Sequence, residues 1–187
     1  MKIELQTLIE KLKQEERFVL AIDGRCGAGK STLAKELAKQ TCAALICADD
    51  FFIPIKERSA PGFSPSINLD EERFAKEVLI PLSRAQDLCY GIFDCQTQTI
   101  REYASVPAGS SVIIEGSYTL YPPFRFAYTH TLFLEISQKE QRRRLLLREG
   151  AGAQAFFERW IPLEEGYFMK YSLPRDEDFL LFFQNNP

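Results

Sequence analysis

The sequence predicts an α/β fold, a doubly wound and mostly parallel sheet of five strands with helices on both faces. Three observations predict it. Short unbroken apolar runs recur along the chain, and strands covered on both faces need that pattern. Stretches with apolar residues at helical spacing alternate with those runs. A glycine-rich turn joins the first run directly to the first of the longer helical stretches.

The elements follow in order. Ile3, Leu5, Leu8, Ile9 and Leu12 fall along one helical face ahead of the first strand, Phe18 to Ile22. Leu33, Ala34, Leu37 and Ala38 mark the next helix, and Ala43 to Cys47 the second strand. Pro54, Pro61, Gly62 and Pro65 predict a surface loop over 53–68. Asn68 followed by Glu71 resembles a helix cap with its reciprocal partner, opening a helix from about Leu69 to Arg84 with a kink at Pro81. Extended segments are expected within 88–105. Val112 to Ile114 and Thr131 to Ile136 are the next strands, Glu140 to Arg148 a basic helix, Ala153 to Tyr171 a helical stretch interrupted at Pro162, and Phe179 to Phe183 the last strand.

At 187 residues and 45% hydrophobic content, one substantial core and a single domain over residues 1–187 are expected. A formal charge of -3 gives no chain-wide reason to bind nucleic acid or an anionic membrane, and no stretch is long and apolar enough to span one. The five cysteines, Cys26, Cys42, Cys47, Cys89 and Cys95, show no metal-finger spacing, and the charged start lacks the features of a secretion signal. Reduced thiols in the cytoplasm fit both facts. A single histidine, His130, excludes any mechanism built on a His pair. Self-association is left open.

The glycine-rich turn is Gly24-Arg25-Cys26-Gly27-Ala28-Gly29-Lys30-Ser31, which fits G-x-x-x-x-G-K-[ST] in its required place between a buried strand and a helix. That makes the fold a P-loop NTPase. Inward-facing amides and the helix N-terminus would cradle phosphates, Lys30 would reach the outer ones, and Ser31 would bind magnesium through its hydroxyl. Cys26 reads as a small space-filler.

Two acidic sites accompany the loop. Asp49 and Asp50 follow the second strand at the carboxyl edge of the sheet, where such folds gather ligands; an Asp there can accept an alcohol's proton, or the pair can merely cap a turn. Glu115 ends the strand Val112 to Ile114 and is the candidate magnesium carboxylate. Arg144 and Arg148 lie one turn apart on the basic helix, positioned either to stabilise transferring charge or to sit in solvent with Glu140 paired to Arg144.

Together the segments GRCGAGKST, ADDFF, IIEGSY and ERWIPLEEGYF resemble the uridine kinase family of P-loop kinases, with nicotinamide riboside kinases and phosphoribulokinase as further relatives. The resemblance runs from about Phe18 to Phe168. It implies ATP and Mg2+ as cofactors, a small-molecule alcohol as phosphoryl acceptor, and Thr32 beside Gly24 to Ser31 in the phosphate-contact set. Asp49 becomes the general base, Asp50 a supporting or second metal carboxylate, and residues of about 138–152 a helical lid with Arg143, Arg144 and Arg148 as its candidate arginines. On the acceptor side it points to Phe52, Phe93, Asp94, Gln98 and Tyr118. Family members usually carry Tyr-Asp-Phe and then a His where this chain has Phe93-Asp94-Cys95 and Gln98, which puts pyrimidine recognition in question.

Overall fold

The computed structural model describes residues 2–58 and 67–182. Its main sheet has five strands, β1 (Val19–Gly24), β2 (Ala44–Cys47), β5 (Val112–Glu115), β6 (His130–Glu135) and β7 (Phe179–Phe182). Their order is β2-β5-β1-β6-β7, and every neighbouring pair is parallel. Two more strands, β3 (Leu88–Asp94) and β4 (Thr99–Val106), form a separate antiparallel hairpin where the sequence predicts extended segments.

Alternation along each central strand divides the core in two. Val19 and Ala21 of β1, Val112 and Ile114 of β5 and Phe133 of β6 face one cluster; Leu20, Ile22, Ile113, Leu132 and Leu134 face the other. Helices α1 (Leu5–Gln14) and α2 (Lys30–Thr41) close the second cluster with Leu8, Ile9, Leu12, Leu33 and Leu37. A helix spanning 71–83, α3, closes the first with Phe74, Val78, Leu79 and Leu82. Both faces of the sheet are therefore covered, which is why its strands carry no polar alternation.

Two details differ from the sequence expectation. Asp70, not Asn68, caps α3, its carboxylate accepting from the Arg73 amide at 3.0 Å, while Asn68 donates to the Tyr118 hydroxyl at 3.2 Å. Both are good capping types, and the tertiary partner decides between them. Pro81 and Pro162 do not simply kink or break their helices. Each follows a widened turn, Ala75–Leu79 and Phe156–Trp160, in which the chain bonds five residues back and absorbs the proline. The helix over 153–171, α5, is continuous through that turn. Pro61, Gly62, Pro65 and Phe183 lie outside the described residues. Among the described residues, no helix is long and apolar enough to cross a membrane.

A buried ion pair secures the sheet's β7 edge. Asp178 is wholly buried and accepts two hydrogen bonds from Arg125 at 2.8 and 2.9 Å, one from Thr131 Oγ1 at 2.6 Å and one from the Arg175 amide at 2.8 Å. Burial pushes its carboxyl up, but these donors outweigh burial and hold it below the ordinary value of 3.8. The depressed value makes its stabilisation complete above pH 3.8 and lost as the pH falls below it. Asp178→Asn should cost about 3 kcal/mol in urea melts at pH 7 and flatten the acid limb of the stability profile.

Candidate functional site

The loop between β1 and α2 is shaped by close backbone contacts with β6 and within itself. Gly24 has φ of +135°, and a Cβ there would stand 2.2 Å from the Leu134 carbonyl oxygen, so only glycine lets the loop cross β6. The Arg25 amide then bonds that same carbonyl at 3.2 Å, and the Ala28 amide closes a turn onto the Arg25 carbonyl at 3.0 Å. Lys30 is 9% exposed, and its ammonium donates to the Gly24 carbonyl at 2.6 Å and the Arg25 carbonyl at 3.4 Å. Thr32 lies exposed on the first turn of α2. Beneath the loop, Asp23 is fully buried and satisfied by the Gly24 amide at 2.8 Å, the Leu120 amide at 3.0 Å and the Tyr167 hydroxyl at 3.0 Å. Burial pushes its carboxyl up, and the Lys30 ammonium draws it back.

At the carboxyl edge of the sheet a cavity of about 430 Å³ opens against this loop. Cys26, Gly27, Lys30 and Ser31 form its loop side, and Asp49 and Glu115 stand beside them. Asp49 belongs to a short helical turn, Ala48–Phe51, that starts as β2 ends. Burial raises its carboxyl first, the neighbouring Glu115 charge raises it further, and Lys30 lowers it. Glu115 is 5% exposed and sits at the strand end in register with Ile22 and Cys47. Gly116 follows with φ of +144°, and a Cβ there would lie 2.7 Å from the Ala48 Cβ, so β5 and the Asp49 turn approach as closely as backbone allows.

Asp50 is not among the residues that line the cavity. Its carbonyl accepts from Arg73, whose guanidinium also bonds the Gly91 carbonyl at 2.9 Å and stacks 4.4 Å over the Phe51 ring. The Asp50 carboxyl is pushed up to about 6 by burial and by Asp49.

The donor set fits magnesium: the Ser31 hydroxyl and the Asp49 and Glu115 carboxylates are hard oxygens on one cavity, and magnesium characteristically takes one or two carboxylates plus phosphate oxygens. Among the described residues no three His, Cys, Asp or Glu side chains form a ligand cluster of their own. The nearby Cys47 thiol, whose Sγ–H donates to Glu115 at 3.5 Å, is raised by burial and by Asp49 and Glu115, so it stays protonated and does not compete as a thiolate.

Helix α4 (Gln138–Glu149) carries the arginines. Arg143 and Arg144 both bond Glu140, each at 2.7 Å, and Arg144 also reaches the Ala28 carbonyl at 3.2 Å and the Gly27 carbonyl at 3.5 Å. Arg144 thus has both the Glu140 pairing and a place on the loop. Arg148 lines the cavity, with its guanidinium 5.4 Å from the Phe156 ring centre and its Nε on Glu149.

The far wall of the cavity holds Phe52, Ile55, Asn68, Gln98, Tyr118 and Trp160. Of the acceptor candidates, Phe52, Gln98 and Tyr118 are brought together there. Phe93 is instead buried in the hairpin, and Asp94 caps its turn, accepting from the Gln96 and Thr97 amides at 2.7 and 3.3 Å. Gln98 accepts from the Ile55 amide at 2.7 Å and donates to the Cys95 carbonyl at 2.5 Å, so its carboxamide ties the hairpin turn to the cavity wall.

Sequence reasoning missed Asp23 and Glu164. Glu164 is 4% exposed on α5, lines the cavity and accepts from the Cys26 amide at 2.9 Å. Its one sequence signal is a carboxylate at helical spacing from Tyr167 and Phe168, on a face that is otherwise buried.

No described protein family matches the sequence, and no curated relative does. Solved structures do. A possible uridine kinase from Bacillus stearothermophilus superposes with a TM-score of 0.69 at 20% identity, over 96% of this chain and 100% of that one. A provisionally assigned fructose transport system kinase from Silicibacter sp. TM1040 gives 0.72 at 21%, over 97% and 100%. A provisionally assigned P-loop-containing kinase with a circular permutation, from Saccharomyces cerevisiae, gives 0.69 at 12%, over 98% and 100%. The chain has the P-loop kinase fold.

Gly116→Ala forces φ strain and a contact with Ala48 at once. It should lower stability by about 1–3 kcal/mol, read as a reduced Tm.

Proposed function

We propose that this protein is an ATP-dependent kinase of a small molecule, moving the γ-phosphoryl group to a primary hydroxyl, with the 5′-hydroxyl of a nucleoside such as uridine or cytidine as the leading acceptor. The observation that carries this is the meeting of Lys30, Ser31, Asp49 and Glu115 on one cavity beside the loop amides. A switch or motor needs the phosphate loop and a metal carboxylate such as Glu115, but not a second carboxylate, Asp49, on the same cavity together with aromatic residues lining it.

In this scheme the cavity-side amides of the Gly24 to Ser31 loop and the Lys30 ammonium hold the donor's phosphates, while the Gly24, Arg25 and Ala28 amides keep their internal partners. Asp49 orients the acceptor hydroxyl and takes its proton as the oxygen attacks the γ-phosphorus. The bond to the β–γ bridging oxygen breaks, leaving ADP and a phosphate monoester. Burial and the Glu115 charge raise Asp49's carboxyl and so make it a better base. A magnesium ion held by Ser31 and Glu115 would neutralise charge on the phosphate oxygens. Arg148, already on the cavity, is the lid arginine best placed to meet the transferring group, with Arg144 bracing the loop from outside. A cysteine set without metal-finger spacing and a reaction that draws on ATP support a cytoplasmic setting.

One observation favours a second acceptor class. Gln98 spends its carboxamide on Ile55 and Cys95, and Asp94 spends its carboxylate on its own turn, so the 93–98 segment offers little to read a base edge. A sugar, nicotinamide riboside or vitamin-precursor alcohol seated on the aromatic wall would use the same machinery.

Lys30→Ala should abolish productive use of ATP. Asp49→Asn should keep ATP affinity and lower kcat at least about a hundredfold. ADP formation across a panel of nucleosides and sugars should rise sharply with one class; one slow rate whatever the acceptor would contradict a kinase and favour a regulatory ATPase.

A further inference from the structure

Helix α5 grips the phosphate loop at three points. The Tyr167 hydroxyl bonds Asp23, Glu165 pairs with Arg25, and the Glu164 carboxylate accepts from the Cys26 amide. The third contact differs in kind from the other two. Asp23 lies at the end of β1 and Arg25 pairs with Glu135 and Glu165, whereas Cys26 lines the cavity together with Gly27 and Lys30. A carboxylate therefore takes a donor from an anion cradle.

Its surroundings sharpen the point. Glu164 is nearly sealed from solvent, and burial pushes its carboxyl up while the Lys30 ammonium draws it down. Cys26 meets the same carboxylate, which together with burial pushes the Cys26 thiol up to about 12. The ammonium assigned to the outer phosphates thus already has an anionic neighbour, and a polyphosphate entering the loop adds charge of the same sign beside it.

We propose that Glu164 is an internal competitor for the phosphate loop, so that a polyphosphate binds by taking the Cys26 amide from this carboxylate. The proposal rests on the reading of the loop as the donor-phosphate site. Trp160, one helical turn before Glu164, and Phe156, one turn before that, line the same cavity, so the helix that carries this carboxylate also forms part of the cavity wall.

Calorimetric titration with inorganic pyrophosphate tests this without relying on turnover. Glu164→Gln keeps the size and an oxygen able to accept from Cys26 but removes the charge; Glu164→Ala removes both. Each should bind pyrophosphate at least about tenfold more tightly than the native chain, a gain of about 1.4 kcal/mol. Glu158→Gln, an exposed change on the same helix with the same net charge effect, should leave the affinity unchanged. If Lys30→Ala weakens binding but both Glu164 variants bind no tighter than the native chain, the assignment of Glu164 is overturned while the donor-loop reading stands. Binding by none of the proteins, or binding that Lys30→Ala leaves intact, overturns the donor-loop reading and this proposal with it.

Discussion

The end of β1 is the constraint on which the remaining geometry depends. There Asp23 is buried beneath the loop and Gly24 passes so close to the Leu134 carbonyl that a side chain is impossible. Because β1 is the middle strand of a parallel sheet, with β5 on one side and β6 on the other, all strands deliver their carboxyl ends to one edge. The loop after β1, the Asp49 turn after β2, Glu115 at the end of β5 and the arginine helix after β6 then converge without any further instruction. Parallel pairing does the positioning, and the loops supply the chemistry.

That convergence concentrates negative charge. Asp49, Glu115 and Glu164 line one cavity with the Lys30 ammonium, and Asp23 lies buried within reach of its charge. Burial raises the carboxyls of Asp23, Asp49 and Glu164 while Lys30 lowers them. Such an arrangement is costly in an apolar protein interior, which is the physical reason to read this edge as a candidate site. The contrast with Asp178 is instructive. Its carboxylate, equally hidden, is met by two arginine bonds, a hydroxyl and an amide, and its carboxyl falls below the ordinary value instead of rising.

How much of this was legible in the sequence depended on whether the signal was local. The loop, the turn with Asp49 after β2, Glu115 at the end of β5 and the basic helix each announce themselves within a few consecutive residues, so the fold and several residues of the cavity could be read directly. The cap of α3 could not: Asn68 and Asp70 are comparable by type, and only the distant Tyr118 hydroxyl draws Asn68 away. Gln98 and Asp94 were placed on the acceptor side by resemblance; Gln98 does line the cavity but holds the Ile55 amide and the Cys95 carbonyl, and Asp94 is taken up by its own hairpin turn. Glu164 was invisible because its partner is the Cys26 amide, 138 residues away, and one acidic residue on a helix ordinarily means solvent.

The central claim is that this edge transfers a phosphoryl group rather than merely binding one. Following the label from ATP carrying an isotope on its γ-phosphorus, in the presence of a competent nucleoside or sugar, tests it most directly. The account predicts that the label appears in a phosphate monoester of the acceptor in step with ADP. Label recovered solely as inorganic phosphate, at a rate indifferent to any acceptor offered, would contradict it.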